Sequence, residues 1–282
     1  MPTSKNRLPM DEAIELRRYT TLNALAHILR HRQLRLTRVD KFADPFEGSI
    51  PTKQFDDQVP IFSSRNAVQM MGVAAHYPGM SLPPRRHLDP WTEMKLRRRD
   101  KIRSAHASCW TAGHESEAMW RLYCRDDGVE GQGVALQSTL GRVEASVSPH
   151  DLFVSPIRYR HYHEGDAFTD ELDPFMHKRM GFAYEGEVRL LKYDESHYLQ
   201  LAAALTSGDP NTGTPPELPE HIFLDWSLSK AIQTITISPY ADEAYEKRVR
   251  RKSHQSMLRS LRGLNYLFSV NVGTPRTSEG QS

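Results

Sequence analysis

Short strand-like runs recur along this chain at 16–20, 34–37, 106–110, 133–137, 153–159, 188–193, 232–237 and 266–270, none of them longer than seven residues. Runs of that length suit a many-stranded sheet. Helical patterns lie between them, but helix and strand do not alternate strictly. That irregularity argues against a doubly wound parallel sheet. It predicts an α+β fold: a mixed or antiparallel sheet with flanking helices. A chain of 282 residues can bury one sizeable core. With 38% hydrophobic and 26% charged residues it has the composition of a folded protein rather than a disordered one.

The local signals divide the chain further. Thr21 can cap a helix over 22–30, where Leu22, Leu25, Ala26 and Leu29 share a face. Pro90 suits the first turn of a helix running through Arg97, Arg98 and Arg99. That helix, with another predicted at 65–71, belongs to a basic, mostly helical insertion over 51–104. Ser116 opens a helix through Cys124 with Met119, Leu122 and Tyr123 as its apolar side. Residues 174–183 read as helical and 207–220 as a loop. A long helix spans 242–262, with acid at its start and Lys/Arg in its later turns. The expected organisation is a polar arm at 1–15, one domain over 16–271 and a polar tail at 272–282.

No apolar run is long enough for a bilayer, and 1–18 lacks a secretory apolar region. Cys109 and Cys124 are not spaced as a redox pair, so both are expected to be reduced packing residues in a cytoplasmic protein. Charge is uneven. Segment 85–103 holds eight Lys/Arg against three Asp/Glu, and 247–262 holds seven against none. The remainder is therefore acidic in a chain of net charge +2. Such segments are either solvated helix faces or attractors of polyanions.

Four segments could carry chemistry. Arg17-Arg18-Tyr19-Thr20 ends a strand before a helix N-terminus, where an arginine fork and free amides could hold a phosphate. Asp44-Pro45-Phe46-Glu47-Gly48 places two carboxylates in a turn. They could bind a metal or ribose hydroxyls, or the turn could be purely structural. Ser108-Cys109-Trp110-Thr111 and the following Trp120, Arg121 and Tyr123 mix hydroxyls with rings that either fill the core or hold an aromatic ligand. Tyr184-Glu185-Gly186-Glu187-Val188-Arg189 is the sharpest. Two glutamates at i and i+2 opening a strand would share one face, and Gly186 would allow close approach. Such a pair can stabilise an oxocarbenium ion and supply a general base. Alternatively it is an edge strand with Glu187 paired to Arg189 or Lys192. His161-Tyr162-His163 lacks further ligands at a zinc spacing, so no metal is predicted. His177, in a polar run with Lys178 and Arg179, is a lesser candidate.

Taken together, these segments resemble a large uncharacterised bacterial family, the domain of unknown function 2971 group. The residues that carry the resemblance are Arg18-Tyr19-Thr20, 41–47, Ser108-Cys109-Trp110, 119–123, 133–135, 174–178 and 184–189. The family usually has Asn where this chain has Ala43. More distantly the order of elements is similar to ADP-ribosyltransferases. There, a first-strand Arg or His precedes a hydroxyl-bearing strand and then a Glu-x-Glu strand. Arg18, Ser108 and Glu187 stand in those places, with Glu185 as the first Glu, although no clean Ser-Thr-Ser element is present. That likeness implies an enzyme using NAD as substrate. Arg18 would hold phosphate or ribose, and Tyr19 or Tyr123 would stack on nicotinamide. Glu187 would bind the ribose hydroxyl and stabilise positive charge, and Glu185 would activate an acceptor. The acceptor would be nucleic acid or an acidic protein, as for a toxin or defence effector. Two other classes fit the residues: a metal-dependent nuclease built on Asp44, Glu47, Glu185 and Glu187, and a non-enzymatic nucleic-acid-binding module using the basic helices.

Overall fold

A computed structural model describes residues 10–50, 88–161, 168, 170–207, 209, 211–260 and 269–272. The helix expected at 65–71, and most of the insertion before residue 88, lie outside the described residues, as does the sequence 162–164.

The first strand, β1 (Glu15–Thr20), leads into α1 (Leu22–His31), whose N-terminus is capped as its sequence predicts: Thr21 Oγ1 accepts from the Ala24 amide at 3.3 Å. Strand β2 (Gln33–Arg38) follows. Helix α2 (Pro90–Arg103) starts at Asp89, whose carboxylate accepts from Thr92 N. Then come β3 (Ala105–Ala112), α3 (Glu117–Tyr123), the small hairpin β4 (Arg125–Asp126) and β5 (Val129–Glu130), and β6 (Val134–Thr139). Helix α4 (Leu140–Val147) precedes β7 (Phe153–Pro156) and β8 (Arg158–Arg160). Strand β9 (His177–Arg179) pairs with β8, and β10 (Glu187–Tyr193) enters the main sheet. The rest is α5 (Glu195–Thr206), β11 (His221–Asp225), the short α6 (Leu228–Ala231), β12 (Thr234–Ile237), α7 (Glu243–Ser260) and β13 (Ser269–Val272).

The fold is α+β, with a mainly antiparallel sheet. Among the described residues nine strands form one sheet in the order β11-β2-β3-β1-β6-β12-β13, with β10 joining β3 to β7. Strand β3 organises it. One edge pairs with β10 along its whole length, from Glu187↔Thr111 to Tyr193↔Ala105. The other edge is shared: β1 pairs near Thr111 and Ala112, and β2 near His106 and Ala107. The sheet therefore forks between β1 and β2.

Strand alternation then sorts the side chains. One face carries Leu16, Trp110, Leu136, Val188, Leu190 and Ile235 into the larger core, which α1, α4 and α7 cover. The opposite face carries two smaller apolar clusters. One surrounds Phe175 and Leu191, and the other packs Tyr19 with Met119 and Trp120. The strip between those clusters is where the polar side chains gather.

Two expectations need correction. Residues 174–183 are not a helix but a short 3₁₀ turn, strand β9 and a second 3₁₀ segment, Met180–Glu185. In α3 the buried residues are Met119 and Trp120, whereas Leu122 and Tyr123 are exposed. The last strand, expected at 266–270, is described only from Ser269, where β13 begins, and it runs on to Val272.

Candidate active site

Three neighbouring strands bring polar residues into line on the less covered face. Arg17 of β1 stands opposite Thr111 of β3, and Thr111 opposite Glu187 of β10. The next row pairs Cys109 with Arg189. Tyr19, two residues beyond Arg17, extends the same face. Tyr123 from α3, Lys178 from β9, Phe182 and the loop carrying Phe42, Asp44 and Glu47 close the sides. They enclose a cavity of about 260 Å³.

Its floor is a buried charge network. The Arg189 guanidinium donates from Nε to Glu187 Oε1 at 2.6 Å, from Nη1 and Nη2 to the two Glu47 oxygens at 3.0 and 3.1 Å, and from Nη1 to the Phe175 carbonyl at 2.7 Å. Lys178 Nζ lies 2.6 Å from Glu185 Oε2, 2.8 Å from Glu187 Oε2 and 3.5 Å from Glu47 Oε1. Its contact with Glu187 is an ion pair outside hydrogen-bond geometry. The Tyr123 hydroxyl donates to Glu185 Oε1 at 2.6 Å. All five charged residues are buried. Charges so placed persist only when paired and hydrogen-bonded.

The electrostatics follow from this pairing. Burial alone would raise the Glu187 carboxyl, but Arg189 and Lys178 outweigh it and hold the group well below the usual carboxylate range. Burial opposes the Lys178 ammonium, yet Glu187 and Glu47 hold it above its ordinary value. Burial, then the Glu187 charge, pushes the Cys109 thiol well up, so Cys109 stays protonated beside the carboxylate. Burial and the Glu185 bond raise the Tyr123 hydroxyl likewise.

Local sequence explains how these groups are aimed. In the 44–48 turn Asp44 Oδ1 accepts from the Phe46 amide at 3.0 Å and from Arg179 Nη2 at 2.9 Å. The Glu47 amide donates to the Asp44 carbonyl, turning Glu47 inward. Glu185 ends a 3₁₀ segment, and Gly186 reverses the chain at φ +49° before β10 starts at Glu187. A Cβ at Gly186 would lie 3.1 Å from the Ala112 carbonyl oxygen, so that close approach and the left-handed backbone both favour glycine. Glu185 is therefore not the strand residue its i, i+2 spacing predicts. The two carboxylates converge because Lys178 sits between them. Glu187 does pair with Arg189, as one reading anticipates, but in the interior rather than on an exposed edge.

The other candidates divide by face. Arg18 points away from the cavity. Its Nη2 donates to the Arg35 carbonyl at 3.2 Å across the fork between β1 and β2, and burial with the nearby Arg35 lowers it to about 10. Ser108 faces the larger core with Trp110 and Leu190, so it is not a cavity group either. In both cases a one-residue step along a strand moves the side chain to the other face. Tyr19 is a wall residue whose hydroxyl accepts from the Ser116 amide. Trp120 is core: it packs edge-on to Tyr19 and donates to Glu115 Oε1 at 2.7 Å. His177 packs against Phe168, bonded through Nδ1 to the Asp173 carbonyl, and does not line the cavity.

Arg17, Cys109, Thr111 and Lys178 line the cavity, although within their segments the expected site residues are Arg18, Ser108 and His177, and Cys109 is expected to be packing. For the first three a signal exists: if Leu16 and Trp110 face the core, their neighbours must face away. Lys178 carries no such signal in a segment whose pattern reads as helical.

Among the described residues no group of three or more His, Cys, Asp and Glu is arranged to hold a metal ion, and no helix is long and apolar enough to cross a membrane. No protein-family model matches the chain, and no curated protein or solved structure is similar to it.

Proposed function

We propose that this protein is an NAD-dependent mono-ADP-ribosyltransferase-like enzyme whose reaction takes place in the 260 Å³ cavity. The observation that carries the reading is the row Arg17–Thr111–Glu187 across three adjacent strands, with Glu185 beside it. In this proposal Arg17 takes the role first expected of Arg18, and Thr111 that of Ser108.

The charge balance supports the choice. Three buried carboxylates, Glu47, Glu185 and Glu187, face two buried cations, Lys178 and Arg189. The cavity floor is therefore biased toward stabilising positive charge. When the bond between nicotinamide and ribose breaks, its electron pair leaves with the nicotinamide nitrogen and positive charge develops on the ribose. Glu187, held ionised on the buried floor, offsets that charge. Glu185 accepts the proton of the attacking acceptor. Tyr19, Tyr123 and Phe182 supply aromatic walls for a planar ring. Arg17, whose Nη1 donates to the Gly113 carbonyl and whose Nη2 pairs with Glu15 at 2.9 Å, lines the cavity and would meet a phosphate or ribose oxygen with the N–H groups those contacts leave over.

The metal-dependent nuclease is less well supported. Lys178 and Arg189 already occupy the carboxylate oxygens that a divalent cation would need. The test of the transferase is label transfer from NAD to macromolecules of a cell lysate. Wild type should transfer label and Glu187→Gln should not; equal labelling by both, or by neither, would sink the proposal.

A further inference from the structure

Arg18, turned away from the cavity, is a charge without an answer. Its Nη2 donates to the Arg35 carbonyl at the fork between β1 and β2, while its Nη1 is shielded from water and has no partner. Two side chains act on its charge. Arg35 repels it, and the Cys109 thiol, kept protonated by burial, supplies no countercharge. Among the described residues neither Arg18 nor Arg35 forms an ion pair.

His27 of α1 stands in the same surroundings. Its Nε2 is likewise shielded and unpartnered. The side chains whose charge acts on it are His31, Arg35 and Arg30, all basic. Its ring lies 4.5 Å from that of His31 and 4.9 Å from that of Phe223, and Phe223 stands opposite Arg35 where β11 pairs with β2. Arg35 is thus the common neighbour of Arg18 and His27. The carboxylates at the two ends of β11 do not neutralise it. Glu220 lies 3.4 Å from His221 and 4.0 Å from Lys41, and Asp225 is exposed opposite Gln33.

A charge withdrawn from water persists when it is paired and hydrogen-bonded. Here three basic side chains from three elements meet without a carboxylate, and two of them hold an idle nitrogen. Arg35, His31 and Phe223 are exposed, so turns of surface side chains open the place to a small ion. We propose that a phosphate group binds at this fork, held by Arg18 Nη1, Arg35 and His27 Nε2. A guanidinium matches two phosphate oxygens, and His27 donates to a third in the tautomer protonated at Nε2. A carboxylate, with two oxygens in one plane, would leave a donor idle. None of the three residues lines the 260 Å³ cavity, so the inference goes beyond the NAD reading and does not depend on it.

Equilibrium dialysis of labelled inorganic phosphate against the full chain tests this, at constant ionic strength set with sodium chloride. Unlabelled glycerol phosphate and acetate serve as competitors. Wild type should bind phosphate saturably. Arg35→Glu, at an exposed position, and Arg18→Met should each weaken binding by about tenfold or more, the scale of one hydrogen bond to a charged group. Thermal melting verifies folding, and Arg35→Glu decides alone if Arg18→Met does not fold. Glycerol phosphate competing better than inorganic phosphate would mark a phosphate carried on a larger molecule; weaker competition would mark the free ion. Either upholds the site. No saturable binding by folded wild type would overturn it, as would binding that Arg35→Glu leaves unchanged, or equal competition by acetate. Binding lost in Arg17→Gln and kept in Arg35→Glu would place the ion in the cavity and overturn it too. None of these readings involves NAD turnover, so either proposal can fail alone.

Discussion

The Arg189 guanidinium, fully buried, donates to Glu187, to both oxygens of Glu47 and to the Phe175 carbonyl. Arg189→Met would keep most of the volume but leave two carboxylates short of their partner. We expect a loss of about 3–5 kcal/mol in denaturant unfolding. Gly48 is a second sensitive residue. Its backbone is left-handed at φ +66°, and an added Cβ would lie 2.7 Å from Ile102 Cγ1. Gly48→Ala should cost roughly 1–3 kcal/mol and disturb the aim of Glu47, read as a lower melting temperature. Glu187 makes a pH prediction. Its folded carboxyl lies below its unfolded value, so its contribution is fully present above about pH 4.3 and lost as pH falls toward the folded value. The fall in stability between pH 5 and pH 3 should be shallower in Glu187→Gln. An equally steep fall would show that the pairing does not hold in solution.

Among the elements, Asp126 at the end of β4 joins three that are distant in sequence. Its Oδ2 accepts from the Leu22 amide at the start of α1 at 2.7 Å and from the Tyr245 hydroxyl of α7 at 3.0 Å. Asp126→Ala would orphan a buried amide and a buried hydroxyl, and should cost about 2 kcal/mol or more in equilibrium unfolding. Nothing in sequence announces this tie, because it depends on two contacts across about a hundred residues or more. What is legible is local. Thr21 and Asp89 cap the helices they precede, and Val188–Leu190 alternation marks β10. The 44–48 and 184–189 segments stand out by composition, and both do reach the cavity. The faces are harder to read. Arg17 and Arg18 are adjacent and chemically equivalent, and only the burial of Leu16 decides which one faces the cavity. Lys178 is concealed by helix-like composition around a strand of three residues. That strand exists because it pairs with β8 and not through its own propensity. The basic helices turn out to be laced with partners: Arg97 with Glu93, Arg250 with Glu246 and Arg248 with Asp127. Charge runs alone therefore overstate the positive field.

At the scale of the whole molecule, the sheet separates two tasks. One face is closed by α1, α4 and α7 over a continuous apolar core. The other is covered in two patches, and the strip between them keeps its polar side chains on the cavity floor. That arrangement makes the buried ion network dependent on a rigid support, since β3 anchors β1, β2 and β10 together. It also places the candidate site on the face opposite the main core. The central claim is that Glu187, on this floor, promotes cleavage of the bond between nicotinamide and ribose. It is tested most directly by nicotinamide release from NAD by purified protein, wild type beside Glu187→Gln, with both shown to be folded. The account predicts release by wild type and a loss of at least about a hundredfold in the variant, the scale of removing one preorganised electrostatic group. Release at equal rates, or none from folded wild type with or without lysate as acceptor, would contradict it.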